Sequence, residues 1–429
     1  MTDQPKNIGG FMGPGVGSGI KPPSGMDYLS ELPTARPHIH ETRKFPDGFL
    51  WGSATSSHQV EGGNDNDWTD WEKVPGHVLD GTRSGIACDH YDRYEEDFDL
   101  AKSLGQNAHR LSIEWSRIEP EEGKFDMDDI VHYRRVLQAL KDRGMKVMLT
   151  CWHFTLPKWF AAKGGWESAD AVRVFERYVA LLAAEYGDLV DQWITINEPM
   201  VYLLQSYGQG VWPPGVANQL RSVHVFGKLT LAHRAAYKVI HKVVDARAAV
   251  PGADGRRGRK AFVGIAQNVI TFEPYRKQSM ADTLFVWFAD RMFNHQFFIW
   301  SKASSHDFIG INYYFHYRMR VRPTKASQFF YEVHTENRET SDLGWEINAP
   351  AIFDAIMGMT RYGKPLYITE HGVANADDGK RPRVIVAALK EVYHAIKAGV
   401  DIRGYFHWSL MDNFEWEKGY SGRFGLVAI

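Results

Sequence analysis

Two short runs place a glutamate straight after a stretch of β-forming residues: Glu198 in TINEP and Glu370 in ITEHG. Either one alone reads as a surface carboxylate or half of an ion pair, but two at matching points of the pattern can divide a reaction between them. Cleaving a glycosidic bond with retention of configuration takes such a pair, one carboxylate attacking and one carboxylic acid protonating the leaving oxygen, about 5–5.5 Å apart. The two must hold different protonation states, so negative charge belongs near the acid and a cation near the nucleophile. Arg110 in HRLSI is the candidate cation. Aromatic residues stand beside carboxylates in WTDWE (68–72), WSRIEPEEG (115–123) and NFEW (413–416). Sugar rings pack their apolar faces on aromatic rings while carboxylates hold their hydroxyls. A single tryptophan is more often core filler, so only these clusters carry weight.

These residues need a frame that brings distant positions together. From Phe45 onward, eight β-forming runs alternate with segments of helical period: FLWGSAT (49–55), NAHRLSI (107–113), KVMLTCW (146–152), VDQWITI (190–196), AFVGIAQN (261–268), DFIGINYY (307–314), PLYITE (365–370) and IRGYFHWSL (402–410). Between them, segments such as DDIVHYRRVLQALKDRG repeat apolar residues at three and four and mostly end at glycine. Eightfold alternation predicts an α/β fold, a (β/α)8 barrel of the TIM type. The polar candidates fall at strand ends: Gln59 after the first, Arg110 in the second, His153 after the third, Asn197 and Glu198 at the fourth. Asn312 and Tyr314 close the sixth, Glu370 the seventh and Trp408 the eighth. The C-terminal strand ends of such barrels form the active face, so these side chains should converge on one pocket.

Composition narrows the partners. With 44% hydrophobic and 24% charged residues the chain can bury a large core, and a net charge of −2 gives no reason to expect nucleic acid or an anionic membrane. A neutral small molecule fits better. Only Cys88 and Cys151 are present, which is no disulfide framework and suggests a reducing, cytoplasmic setting. Residues 1–44 are rich in Gly and Pro without periodicity and read as a flexible leader before a single catalytic barrel at 45–429. Gly13, Gly15, Gly17 and Gly19 lack the flanking strand and helix of a dinucleotide loop. His38 and His40 have no further ligands at metal spacing, so neither a metal nor another cofactor is expected.

The ordered set FLWGSATSSHQVEG, HRLSIEWSRI, TINEP, DFIGINYY, ITEHG and GYFHWSLMDNFEWEKGY followed by RFGL resembles the family 1 glycoside hydrolases, the β-glucosidases and β-galactosidases, over nearly the whole chain. The resemblance implies a retaining exo-β-glycosidase with Glu198 as acid/base and Glu370 as nucleophile. It implies that Tyr314 and Arg110 hold the nucleophile and that Asn197 meets the 2-hydroxyl. Gln59, His153, Glu415 and Trp416 would bind glycone hydroxyls, Trp408 would form the apolar floor, and Asn312 and Phe424 would line the same subsite. Members acting on 6-phosphorylated sugars resemble one another in carrying a small hydroxyl residue where this chain has Glu415, which disfavours a 6-phospho-β-glycosidase, although Lys418 stands nearby. A sugar-binding barrel without turnover is the alternative of a different class.

The chain departs from the family pattern in three places. His371 follows the nucleophile where Asn is usual. The stretch between Phe298 and Asp307, before the sixth strand, is shorter, which predicts a missing piece of cavity wall. After Trp408 only 21 residues remain, too few for the expected eighth helix. Apolar surface on strands eight and one is then expected to face water unless the leader or a neighbouring subunit of a homo-oligomer covers it.

Overall fold

The computed structural model describes residues 43–250, 257–322, 331–336 and 338–429. Its strands are β1 (Leu50–Ala54), β2 (Ala108–Ser112), β3 (Lys146–Thr150), β4 (Gln192–Asn197), β5 (Val263–Asn268), β6 (Thr271–Pro274), β7 (Phe308–Tyr313), β8 (His316–Val321), β9 (Tyr331–His334), β10 (Leu366–His371) and β11 (Ile402–Trp408). Eight of them close into a parallel barrel in the order β1-β11-β10-β7-β5-β4-β3-β2. Each barrel strand lies on one of the eight runs read from the sequence. The helices of the outer layer are α1 (His90–Ser103), α2 (Met127–Asp142), α3 (Ala171–Tyr186), α4 (Gln219–Ala249), α5 (Met280–Asp290), α6 (Gln296–Ser301), α7 (Ile352–Met359) and α8 (Arg381–Lys397).

Local chemistry sets these elements. Helix α2 begins where the Asp126 side chain accepts from the N–H groups of Asp128 and Asp129, buries Ile130, Tyr133, Leu137 and Leu140 at helical spacing, and stops before Gly144, which sits at φ +69. Inside the barrel the lower layers are apolar, with Leu50, Ala108, Met148, Ile194, Ala266, Phe308, Tyr367 and Phe406 in one buried cluster. Apolar filling at the bottom seals the barrel, so a polar pocket can exist only at the top.

The sequence reading missed a three-stranded sheet, β6-β8-β9, beside the barrel mouth. β6 and β9 are four residues each, too short for a period to show, although HYRMRV in β8 does alternate.

Two expectations are corrected. The shortened stretch lies away from the cavity wall: none of residues 296–307 lines the pocket. The reason is topological, because a helix-to-strand connection lies at the N-terminal face, opposite the mouth. Nor do strands β1 and β11 present a helix-sized apolar face to water. Their outward residues Ser53, Tyr405 and His407 are buried, and Trp51 packs with Phe45 and Phe49, Phe45 in turn meeting Tyr393 of α8. That outward face is partly polar and hydrogen-bonded: the Ser53 hydroxyl donates to Gln106 (2.9 Å), Tyr405 pairs with His371 (2.8 Å) and His407 Nε2 meets the Phe424 carbonyl (3.3 Å). The chain end is tied in as well, Leu426 and Val427 donating to the carbonyls of Ser409 and Leu410. The proposed covering of the gap by the leader, the leader itself up to residue 42, and His38 and His40 lie outside the described residues.

Candidate active site

The top of the barrel holds a pocket lined by His153, Asn197, Glu198, Tyr314, Glu370, Trp408, Glu415 and Trp416, all named from the sequence, together with residues that were not. Arg110, Gln59, Asn312 and Phe424 stand behind this lining and reach it through contacts. Backbone irregularities aim the two glutamates inward. The pairing register shifts between Ile194 and Asn197 on β4 and between Ile368 and Glu370 on β10, as bulges do where a side chain is re-aimed. Glu198 itself adopts φ 42, ψ 59, a left-handed conformation that costs about 1–3 kcal/mol and needs outside support. Its N–H donates to the Ala266 carbonyl (2.8 Å), and Pro199 after it disfavours the ordinary helical conformation.

The surroundings of the two carboxylates differ. Glu370 forms an ion pair with the fully buried Arg110 and accepts from the Tyr314 hydroxyl (2.8 Å). Arg110 spends its remaining donors on Asn197 Oδ1 (2.6 Å), Thr150 Oγ1 (3.3 Å) and the Thr369 carbonyl (3.2 Å). Among the described residues, Glu198 has no cation in contact. Its Oε1 accepts from Asn268 (3.0 Å) and Asn312 (2.9 Å). Burial, and then the charge of Glu370, pushes the Glu198 carboxyl up to about 8.

Around this pair the predicted binding residues interlock. Asn197 holds His153 (3.1 Å), and burial with Arg110 nearby drives His153 far below the usual histidine value, so it is neutral. Gln59 donates to Glu415 (3.3 Å), Asn413 (3.1 Å) and the Phe414 carbonyl (2.8 Å). Burial, with Glu417 and Glu370 close, pushes Glu415 up to about 8. Trp408 stacks near His153, and Phe424 packs on Tyr314 and Trp345. Lys418 is engaged by Glu417 (3.3 Å). His371 points away from the pocket, and burial lowers it to about 4, leaving it neutral against Tyr405.

The sequence reading missed Asn268, Gln205, Trp212, Phe154, Trp345 and Glu417. Asn268 was legible: it ends the fifth barrel strand as Asn197 and Asn312 end the fourth and sixth. Trp345 sits in a loop with no period to mark it. Among the described residues, His153 Nδ1, Asn268 Oδ1, Gln205 Oε1 and Trp345 Nε1 are buried without a hydrogen-bond partner. These four residues line one pocket, where a ligand rich in hydroxyls would supply the missing partners. No group of three His, Cys, Asp or Glu among the described residues is arranged to hold a metal ion.

Comparison with known proteins agrees with this geometry. The profile of glycosyl hydrolase family 1 matches residues 41–302 and 298–429. A 1,4-beta-D-glucan glucohydrolase of Thermotoga neapolitana is 32% identical over 419 residues, covering 90% of this chain and 98% of the relative. Among solved structures, a beta-glycosidase from Pyrococcus horikoshii superposes with TM-score 0.81 at 38% identity over 90% of each chain. A beta-glucosidase from Thermotoga maritima in complex with glucoimidazole superposes with TM-score 0.81 at 30% identity, over 90% of this chain and 94% of that one. The chain therefore belongs to glycosyl hydrolase family 1 and is a glycoside hydrolase.

Proposed function

We propose that the protein is a retaining exo-β-glycosidase that acts on neutral β-glucosides, with β-galactosides and β-fucosides as related substrates. The observation that carries this reading is the unequal setting of two carboxylates in one pocket, Glu370 paired with a buried guanidinium and Glu198 buried against two amides. Glu370 attacks the anomeric carbon while Glu198 gives its proton to the glycosidic oxygen, and the aglycone leaves. Both amide donors rest on Oε1 of Glu198, so Oε2 carries the proton. Glu198, now ionised, takes a proton from water, whose oxygen attacks the anomeric carbon and releases Glu370. The second N–H of Asn197 Nδ2 meets the 2-hydroxyl, a contact that strengthens as positive charge builds on the ring. Glu415 accepts from the 4- and 6-hydroxyls, and Trp408 carries the ring face.

A 6-phosphorylated substrate fits poorly, because the Glu417 carboxylate lines the pocket and Lys418, the cation beside it, is already paired with that carboxylate. An aryl β-glucoside is expected to exceed its 6-phosphate at least tenfold in kcat/KM, about 1.4 kcal/mol. Equal or reversed rates would overturn the neutral-sugar reading, and binding of glucoside without turnover would point instead to a sugar-binding barrel. No helix among the described residues is long and apolar enough to cross a membrane. Both cysteines are free, which supports placing the enzyme in the cytoplasm.

A further inference from the structure

Helix α5 continues through a wider turn at Arg291–His295 into α6, so residues 280–301 form one rod of about 30 Å. One side packs Ala289, Phe293, Phe297 and Phe298 into the core. On the opposite side Met280 is 79% exposed, Trp287 64% and Leu284 62%, and Phe288, Met292, Ile299 and Trp300 are between 40 and 52% exposed. Their spacing keeps them on one continuous stripe. A helix of the outer layer ordinarily turns a polar face to water, as α3 does with Arg173 and Glu176 while burying Val174, Phe175 and Tyr178. A rod apolar on both sides is the pattern of a helix covered on both sides. The stripe leaves on the order of 800 Å2 of surface open, above the roughly 300–600 Å2 of the largest patch on a typical monomer and close to the 800 Å2 that one partner contributes to a stable interface. It ends at Trp300, where the chain is shorter than its family and the family match divides at 298–302.

We propose that this stripe is a self-association surface, on which a second copy of the chain lays its own α5–α6 rod antiparallel about a two-fold axis near residue 290. Three observations favour a second copy as the occupant. The exposed area is of the same order as the roughly 800 Å2 that one partner contributes to a stable interface. The face is almost free of charge, so it can meet its own copy without like-charge repulsion. Its one pair of opposite charges, Asp290 and Arg291, lies at the midpoint, where antiparallel pairing sets each against its opposite on the second copy. Asp290 Oδ1 accepts from Asn294 (2.7 Å) and its Oδ2 lies 3.4 Å from His295 Nε2, while the side chain remains 40% exposed. Met280 at one end then meets Trp300 at the other. No residue of the rod lines the active-site pocket, so the association leaves hydrolysis untouched.

Sedimentation of the full chain is expected to give a dimer, twice 48.9 kDa. The double variant Leu284→Arg, Trp287→Glu is expected to dissociate at least tenfold more readily while hydrolysing an aryl β-glucoside at the wild-type rate. Single cysteines set the register. Arg291→Cys, beside the axis, should link two chains on mild oxidation, whereas Met280→Cys, far from its own mate, should not. A wild-type chain that stays monomeric at concentrations on the order of 100 μM overturns the proposal. So does a charge variant that remains dimeric, or a Met280→Cys chain that crosslinks as readily as Arg291→Cys. A chain that dimerises only after residues 1–42 are removed would show its own leader to be the occupant, which also overturns it.

Discussion

The proposed division of labour between Glu198 and Glu370 rests on what each touches. Glu370 has a buried guanidinium and a phenol; Glu198 has two neutral amides, burial and a neighbouring negative charge. An acid pushed up to about 8 stays protonated through neutrality, so kcat/KM should fall on the alkaline side with an apparent value near 8 that belongs to the coupled pair. Glu198→Gln should erase that limb for aryl substrates whose leaving groups need no proton. An alkaline limb in the ordinary carboxylate range would contradict the assignment. The sequence made both carboxylates visible, because each ends a β-forming run, and Arg110 visible as the cation for the pair. It did not reveal Asn268 as a donor to the acid or Gln59 as a support behind Glu415, since those roles depend on which side chains face one another across the barrel.

At the scale of elements, strand ends do the positioning. β10 turns away after His371 at Gly372, where an added Cβ would overlap the Trp408 carbonyl on β11. Gly372→Ala should therefore cost about 1–3 kcal/mol of stability and, by shifting Glu370 against Trp408, about a hundredfold in kcat. Gly399→Ala, at φ +93 with open space around it, should cost about 1–2 kcal/mol and leave kcat unchanged. Denaturant titration and kinetics of the two variants separate the effects, and similar kcat for both would contradict the close-approach argument. All eight barrel strands were legible because parallel strands buried on both faces read as unbroken β-forming runs. The small β6-β8-β9 sheet was not, its outer strands being too short. The expected bare patch beside β1 and β11 failed for a different reason: counting helices says nothing of the aromatic cluster Phe45, Phe49 and Trp51 or of the hydrogen-bonded Ser53 and His407.

For the whole molecule, the active site is a cost to folding. Glu198 and Glu415 both sit near 8 in the fold, against about 4.3 for a free glutamate. Folding thus holds protons that the unfolded chain releases above about pH 4.5. Their share of stability is complete below that pH and is lost as pH rises through 8. The thermal midpoint should therefore fall between pH 6 and about 9, and Glu198→Gln with Glu415→Gln should flatten the slope. A slope unchanged by both substitutions would mean that other groups set it. The central claim, that Glu370 attacks and Glu198 supplies and takes the proton, is tested most directly by azide rescue. In Glu370→Ala the small anion enters the vacated side, so restored turnover of an aryl β-glucoside should give the α-glycosyl azide. In Glu198→Ala the glycosyl-enzyme still forms from a good leaving group, and azide should give the β-glycosyl azide. Opposite anomers from the two variants are the predicted result, and the same anomer from both would contradict the account.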